Sequence, residues 1–406
     1  MINRWQENEL KSVLASRRGA HLTGARQCGK TTLTKMVQFD NCRRYTFDDE
    51  SIRNTAAGDP KGFIKHAPGE MLIIDEVQKE PRILEYIKQA LDDDNSKGQY
   101  LLTGSANLHF AKAVKDTLAG RLGKVRLRTL ALGEVLGGKG DFIDRLIAGT
   151  LPLQFADFDK HEVIHRAFCG GYPEAMELGE RDRRKWFRDY LDDLLTRDVQ
   201  EVTEIRKLSA LRKVSDWLLS YSSKFFVMDD LCREAQISKQ TANAYLEALQ
   251  AIYLFDEVRA WTSGDYDRIG KRSKYLAADS GLMANVLGWD EESVYFDDDR
   301  SGKLTESWVY HELASLADRR GDVELYQYRD NKKREIDFIL RLIGVGIVGV
   351  EVKSGSAVSK SDFNHLKWFR DNLCRESFIG IVLYTGSNLL SFGEHLFAVP
   401  MSALAV

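Results

Sequence analysis

The fold is decided by the stretch Gly24-Ala25-Arg26-Gln27-Cys28-Gly29-Lys30-Thr31-Thr32, which fits the P-loop pattern GxxxxGK[ST]. The residues ahead of it, 20–23, predict a short strand, and residues 31–37 predict a helix. The two glycines allow backbone conformations in which successive N–H groups point inward and hold phosphate oxygens. The helix that follows presents the positive end of its dipole to the same phosphates. The loop is therefore predicted to bind a nucleoside triphosphate, with Lys30 contacting the β- and γ-phosphates and Thr31 ligating Mg²⁺.

A second buried strand is predicted at residues 71–74, Met-Leu-Ile-Ile, and two carboxylates follow it directly. Ligands of open α/β sheets bind at the carboxyl ends of the strands, so Asp75 and Glu76 would face the phosphates. We expect Asp75 to hold Mg²⁺, directly or through water. Glu76 would orient and activate the attacking water.

Two further positions are candidates for contact with the γ-phosphate. Ser105 or Thr103, at the end of the predicted strand 100–104, would sense the γ-phosphate; Ser105 could equally cap the next helix. Arg121 follows a predicted helix and would act as an arginine finger on a neighbouring subunit, or it would simply be solvated. A finger acting in this way requires a homo-oligomer.

Composition limits the classes of protein that this chain can belong to. It has 406 residues, enough for two or three domains, with 43% hydrophobic and 29% charged residues, which is typical of a soluble globular protein. A net charge of -3 excludes a polycation, so any nucleic-acid contact must come from local basic clusters. The five cysteines form no CxxC pair, which favours reduced thiols and argues against a zinc site. With neither a signal peptide nor a membrane-spanning run in the sequence, we expect a cytoplasmic protein.

Four motifs carry a resemblance to a known family. Residues 24–33, Ile-Ile-Asp-Glu-Val-Gln at 73–78, Leu-Thr-Gly-Ser at 102–105 and Leu-Ala-Gly-Arg at 118–121 together resemble the prokaryotic, archaeal-type AAA ATPases, which carry a C-terminal domain of unassigned function. Gly170-Gly171-Tyr172-Pro173-Glu174 is similar to the Gly-Gly-x-Pro lid motif of that group, and the resemblance implies that Pro173 lies near the adenine. From the residues alone, this segment predicts only a helix stop and a turn.

The middle of the chain contains two basic features with open interpretations. Residues 181–188, Arg-Asp-Arg-Arg-Lys-Trp-Phe-Arg, predict either a patch for a phosphate backbone or the solvated face of a lid helix, and Arg197 is a candidate second phosphate sensor. Residues 228–253 predict a helix-turn-helix in which Ser238 caps the second helix. A basic wing would follow it, and the fold would then either contact DNA or only link domains and bind protein. The exposed helix residues suited to DNA are Lys239, Gln240 and Asn243, and the basic residues of the wing are Arg268, Lys271, Arg272 and Lys274.

The last third of the sequence predicts a second chemical site. A helix beginning near Thr305 would place Glu306 on its apolar face, and strand alternation projects Asp337 from one strand and Glu351 with Lys353 from the next. This order resembles the PD-(D/E)xK nuclease core. The resemblance implies that Asp337 and Glu351 ligate Mg²⁺, that Lys353 stabilises the transition-state charge and that Glu306 is an accessory ligand. The fold could also be kept without activity.

The sequence therefore predicts an α/β protein built from a P-loop NTPase domain with an AAA-type parallel sheet, a helical lid, a winged helix and a PD-(D/E)xK-like domain, with boundaries at 1–140, 141–204, 205–290 and 291–406. We expect ATP hydrolysis with Mg²⁺, association with DNA and metal-dependent cleavage of nucleic acid, and no membrane contact. The alternative is a regulatory switch in which the ATP state controls a protein partner and the nuclease-like domain is inactive.

Overall fold

Parallel strands form the sheet of the amino-terminal domain in the computed structural model, which describes residues 2–37, 39, 41–105, 118, 120–202, 207–264 and 272–406. The strands are Gly19–Thr23 (β1), Cys42–Thr46 (β2), Met71–Asp75 (β3), Tyr100–Gly104 (β4) and Leu122–Arg126 (β5). They pair in parallel in the order β2-β3-β4-β1-β5. The carboxyl ends of β1 and β3 therefore lie at the same edge, and the predicted α/β domain with a parallel sheet is confirmed.

Helices cover this sheet, and for that reason every position of β1 and β4 is buried. Asp49 caps one of these helices by accepting hydrogen bonds from the backbone N–H groups of Ser51 and Ile52. The helices are Gln6–Ser16 (α1), Lys30–Met36 (α2), Glu50–Gly58 (α3), Pro60–Phe63 (α4) and Ile83–Asp93 (α5). A short 3₁₀ turn, Val77–Lys79, follows β3.

The middle of the chain is mostly helical. Its helices are Leu132–Leu136 (α6), Phe142–Ala148 (α7), Lys160–Cys169 (α8), Pro173–Met176 (α9), Glu180–Asp193 (α10), Val199–Val202 (α11), Leu208–Ser220 (α12), Met228–Ala235 (α13), Lys239–Ala251 (α14) and Ser280–Val286 (α15). One π-helical turn, Leu194–Asp198, joins α10 to α11.

Helices α13 and α14 form the helix, turn and helix expected from the sequence. Gln236 takes a left-handed conformation between them, with φ of 54°, and Ser238 caps α14 as predicted. A two-stranded antiparallel hairpin follows, made of Phe255–Val258 (β6) and Lys274–Ala277 (β7). Arg268 and Lys271 of the expected basic wing lie outside the described residues. Lys274 was expected to lie on the exposed wing, and that prediction is wrong because its side chain is buried.

The carboxyl-terminal part contains a mixed six-stranded sheet. After Glu291–Phe296 (α16) and Asp298–Arg320 (α17) come Val323–Arg329 (β8), Glu335–Leu342 (β9), Gly346–Val352 (β10), Asn364–Asn372 (α18), Phe378–Tyr384 (β11), Leu390–Gly393 (β12) and Leu396–Pro400 (β13). The strand order is β12-β13-β11-β10-β9-β8, with β8, β9 and β10 antiparallel and β11 parallel to β10. Helix α17 begins at Asp298 rather than near Thr305, because Asp297 caps it there.

One hydrophobic core runs from the amino-terminal sheet into the carboxyl-terminal sheet. The final 3₁₀ turn, Met401–Ala405, packs against α6, and Ser402 Oγ donates a hydrogen bond to the carbonyl of Ala156 at 2.7 Å. Among the helices in the described part of the chain, none combines the length and apolar character needed to cross a bilayer.

Candidate functional site

The loop between β1 and α2 has the backbone geometry of a phosphate cradle. Gly29 adopts a φ of 103° at the start of α2, and Gln27 is left-handed at 61°. A Cβ atom at Gly24 would lie 2.1 Å from the carbonyl oxygen of Leu127, so only glycine fits at that position. The side chain of Cys28 is buried and lies 3.4 Å from the same oxygen.

Lys30 is buried at the first position of α2, directly after this loop. Its ammonium donates hydrogen bonds to the carbonyl oxygens of Gly24 at 3.0 Å and Ala25 at 2.9 Å. These contacts hold the charge at the mouth of the cradle. The adjacent residues Thr31 and Thr32 are both exposed.

Asp75 joins the start of α2 to the end of β4. Its carboxylate accepts a hydrogen bond from Thr31 Oγ1 at 2.7 Å and another from the hydroxyl of Thr103. The structure thus brings together the hydroxyl and the carboxylate that the sequence nominated for Mg²⁺, and both offer the oxygen atoms that this ion prefers.

Glu76 is held by two polar neighbours at the end of β3. It has a left-handed backbone, with φ of 56°, and its Oε2 accepts hydrogen bonds from Gln78 Nε2 at 2.5 Å and from Ser105 Oγ at 3.2 Å. Ser105 thus contacts the candidate base in this arrangement. Gln78 was missed by sequence reasoning; its position two residues after the glutamate, in a tight turn, was the available signal.

The helical segment that follows the ATPase domain contacts the phosphate loop through Arg26. The guanidinium of Arg26 pairs with Asp198 in the π-helical turn, at 3.0 Å, and Tyr190 OH donates to the Arg26 carbonyl at 2.9 Å. Tyr190 in turn lies 3.0 Å from the hydroxyl of Tyr172, whose pKa is raised by burial. Pro173 is the residue after Tyr172 and begins α9. The Gly-Gly-Tyr-Pro segment is therefore connected to the phosphate loop through the hydrogen bond between Tyr172 and Tyr190.

The two arginines nominated for phosphate contact both pair with carboxylates of the same chain. Arg197 is exposed and pairs with Asp193, whereas its neighbour Asp198 reaches the phosphate loop. Arg121 forms two hydrogen bonds with Asp92, at 2.6 and 2.9 Å. Arg121 directly precedes β5, and the first residue of β5 pairs with the first residue of β1. Arg121 therefore lies at the edge of the sheet opposite the phosphate loop.

The basic run on α10 packs its two aromatic residues against the hydrophobic core, Phe187 completely and Trp186 in part. Phe187 is fully buried, and Trp186 stacks on Tyr190 at 5.1 Å. Arg183 is also buried and donates to the carbonyl oxygens of Ala175 and Leu178. Phe187 is therefore not available to stack on a base, and Trp186 already stacks on a ring of the same helix.

A buried ionic network joins the end of β5 to the hairpin and to α17. Asp256 of β6 accepts hydrogen bonds from Arg126 at 2.8 Å, Arg128 at 2.6 Å and Tyr310 at 2.7 Å. Arg128 also pairs with Asp318 at 2.6 Å. No sequence pattern indicated this network, because its members come from three distant segments.

The predicted carboxylates of the carboxyl-terminal part do come together. Glu306 from α17, Asp337 from β9 and Glu351 from β10 form a cluster with Glu335 around the ammonium of Lys274, here called the carboxylate cluster. Burial raises the pKa of Glu306 to about 7. Burial, together with the neighbouring Asp337 carboxylate, raises the pKa of Glu351.

Lys353 is not part of this cluster, which corrects the expectation from strand alternation. Its ammonium pairs with Asp362 and its side chain is 40% exposed. Within the described residues, no group of three or more histidine, cysteine, aspartate or glutamate side chains is arranged to hold a metal ion. The cluster as arranged is therefore not a ready-made metal site.

Comparison with known proteins identifies the amino-terminal domain. Residues 16–136 match the family described as AAA domain, whereas residues 160–293 and 301–404 match two families described as domains of unknown function, DUF8612 and DUF4143. The amino-terminal domain is therefore an AAA-type P-loop ATPase domain.

Two uncharacterized relatives match most of this chain. An uncharacterized protein of Mycobacterium tuberculosis is 26% identical over 380 residues, which cover 93% of this chain and 79% of the relative. An uncharacterized protein of Methanocaldococcus jannaschii is 23% identical over 337 residues, covering 78% and 70%. A Walker-type ATPase of Pyrococcus abyssi overlaps 70% of this chain and 95% of its own, with 14% identity and a TM-score of 0.45.

Proposed function

We propose that this protein binds ATP together with Mg²⁺ and hydrolyses it at the edge where β1 and β3 end. The observation that carries the proposal is the contact between Thr31 and Asp75 directly beside the cradle that holds Lys30. Glu76 stands next to them, held by Ser105. Positive charge, ion ligands and a candidate base thus meet at one point.

Each of these residues has a distinct role in the reaction. Lys30 exchanges its loop carbonyls for phosphate oxygens, and the backbone N–H groups of Gly24 to Thr32 bind the remaining oxygens. Thr31 and Asp75 offer the oxygen atoms that would hold Mg²⁺, and a bound ion would neutralise charge on the phosphates. Glu76 orients the attacking water and accepts its proton, while Gln78 and Ser105 fix the direction of the carboxylate.

Turnover and binding of two variants test this proposal. Glu76→Gln should bind ATP like the parent and lose roughly 10²–10⁴-fold in hydrolysis rate, because the amide cannot take the proton. Glu85→Gln, on the exposed side of α5, is the matched control and should hydrolyse ATP normally. A Glu76→Gln protein as active as the parent would contradict the assignment of the base.

The second candidate function is association with DNA and cleavage of nucleic acid by the carboxyl-terminal part. It is favoured by the convergence of Glu306, Asp337 and Glu351 in one cluster. The elements of this part of the chain follow one another as a helix, three antiparallel strands, a helix and a parallel strand. As arranged, the cluster does not fit Mg²⁺, because the ammonium of Lys274 contacts the oxygens that would ligate it. The competing function is a switch in which the ATP state controls a protein partner.

DNA binding at two salt concentrations separates these candidates. Affinity for DNA should fall steeply as salt rises if basic groups contact the phosphate backbone. Cleavage of DNA or RNA in Mg²⁺ that is lost in Asp337→Asn would support the nuclease. Absence of both binding and cleavage would leave the switch.

A further inference from the structure

Lys274 lies inside the carboxylate cluster although it belongs to a different part of the chain. It is the first residue of β7, and its side chain is only 1% exposed. The distances from its Nζ are 2.7 Å to Glu335 Oε1, 3.1 Å to Glu306 Oε1 and 3.9 Å to Asp337 Oδ1. An ammonium buried this completely is retained only where opposite charges compensate it. The cluster therefore determines where the ammonium lies.

The oxygens that Lys274 contacts are those that a divalent metal would require. Mg²⁺ and Mn²⁺ take carboxylate oxygens as ligands. An ammonium among the same oxygens repels a second cation at short range, and the low dielectric of a buried site strengthens that repulsion. The chain itself thus places a cation, the ammonium of Lys274, among the oxygens of Glu306, Glu335 and Asp337. The guanidinium of Arg329 lies 3.7 Å from the other oxygen of Glu335.

Lys353 does not compete for this position. It follows the end of β10, and its ammonium turns outward to Asp362. Lys353, which strand alternation nominated for the cluster, therefore lies at the surface. Lys274, which was expected on an exposed wing, lies among the carboxylates of the cluster.

We infer that Lys274 is an internal cation that closes the carboxylate cluster to divalent metal ions. The ammonium is carried by the β6–β7 hairpin, whereas the carboxylates are carried by α17, β9 and β10. Displacement of the hairpin relative to those elements would withdraw the ammonium from the carboxylates of Glu306, Glu335 and Asp337. Glu335 would keep its ion pair with Arg329, at 3.7 Å.

The same hairpin is tied to the ATPase domain. Asp256 lies on its first strand and is held by Arg126 and Arg128, at and just beyond the end of β5. Strand β5 lies next to β1, which leads into the phosphate loop. If nucleotide binding moves β5, the hydrogen bonds between Asp256 and the two arginines would transmit that movement to the hairpin that carries Lys274.

Titration of the full chain with Mn²⁺, followed by electron paramagnetic resonance, tests the inference. All proteins carry Asp75→Asn, so that the amino-terminal ligands do not contribute. With Lys274 present, the cluster should take up no Mn²⁺. Lys274→Gln should gain about one Mn²⁺ per chain, bound at least about tenfold more tightly than by the background protein, because the repelling charge is removed. Adding Asp337→Asn should abolish that gain.

Two matched variants separate charge from position. Lys274→Arg keeps the positive charge and should remain closed to Mn²⁺. Lys353→Gln removes an exposed charge outside the cluster and should gain no ion.

Two results would overturn the inference. The first is Mn²⁺ bound in the presence of Lys274 and lost on Asp337→Asn. The second is a folded Lys274→Gln protein that takes up no ion. If circular dichroism shows Lys274→Gln to be unfolded, the background and Lys274→Arg proteins decide: exclusion of Mn²⁺ by both supports the inference, and uptake by either refutes it.

Discussion

Replacing Asp256 by alanine should loosen the joint between the ATPase domain, the hairpin and α17. This carboxylate accepts hydrogen bonds from Arg126 at 2.8 Å, Arg128 at 2.6 Å and Tyr310 at 2.7 Å. The substitution leaves two guanidinium groups and one hydroxyl without their shared acceptor. Asp318 still pairs with Arg128 and compensates part of the charge.

The size of the effect follows from burial. The side chains of Asp256 and Arg128 are 11% and 8% exposed, so solvent screens the pair only weakly. Removing one partner of a buried ion pair costs about 3–5 kcal/mol. Because Asp318 remains, we expect the lower end, about 3 kcal/mol of unfolding free energy. Asp371→Ala, which removes an exposed pair with Arg370, should cost about 1 kcal/mol or less.

The pH dependence of the loss has a definite sign. Although burial alone would raise it, the guanidiniums of Arg126 and Arg128 hold the pKa of Asp256 well below its usual range. The stabilisation is therefore complete above the unfolded pKa of about 3.9 and is lost as pH falls through the lower folded value. The difference between parent and Asp256→Ala should stay constant from about pH 5 to 8.

Native-state hydrogen exchange of the hairpin amides measures this difference without assuming that the whole chain unfolds in one step. Protection in β6 and β7 should fall by the factor that corresponds to about 3 kcal/mol, roughly 100-fold. A loss below about 1 kcal/mol, or one that changes between pH 5 and 8, would refute the account of this network.

Four further substitutions test other parts of the structure. Gly138→Ala should lower the unfolding free energy by about 1–3 kcal/mol, because its Cβ would lie 1.7 Å from the carbonyl oxygen of Ala405. Gly302→Ala, in an open helical position, should instead raise the unfolding free energy by up to about 1 kcal/mol. Thermal unfolding compares the two variants. Gln78→Leu should lower the ATP turnover rate roughly 10–100-fold without changing ATP affinity, since Glu76 loses its shorter hydrogen bond and keeps only the one from Ser105. Turnover equal to that of the parent would exclude that role for Gln78. Arg121→Ala should leave the ATP affinity of a single protomer unchanged, because Arg121 lies at the opposite edge of the sheet, and weaker binding would contradict that placement.

The amino-terminal site could be predicted because its determinants are local in sequence. A glycine pattern between a strand and a helix defines the loop around Lys30, and an apolar run fixes where Asp75 and Glu76 emerge. Parallel strands then bring both segments to one edge. What the pattern did not indicate is the pairing of side chains across that edge, such as Arg26 with Asp198, since the lid comes from a distant segment.

The positions of Lys274 and Lys353 could not be predicted either, because their partners come from distant segments of the chain. Alternation placed Glu351 and Lys353 on one face, but Lys353 lies just beyond the last residue of β10 and turns to Asp362. A basic stretch suggested an exposed wing at Lys274, whereas carboxylates from α17 and β9 compensate its charge in the interior. Local pattern identifies a charged residue, but long-range partners decide whether it is buried.

Calorimetric titration of the purified chain with ATP and Mg²⁺ tests the central claim most directly. The parent should bind about one nucleotide per chain, and Lys30→Ala should bind at least roughly 100-fold more weakly, because charge-assisted hydrogen bonds to two phosphates are lost. A parent that takes up no ATP, or a Lys30→Ala protein that binds it as tightly as the parent, would contradict the account.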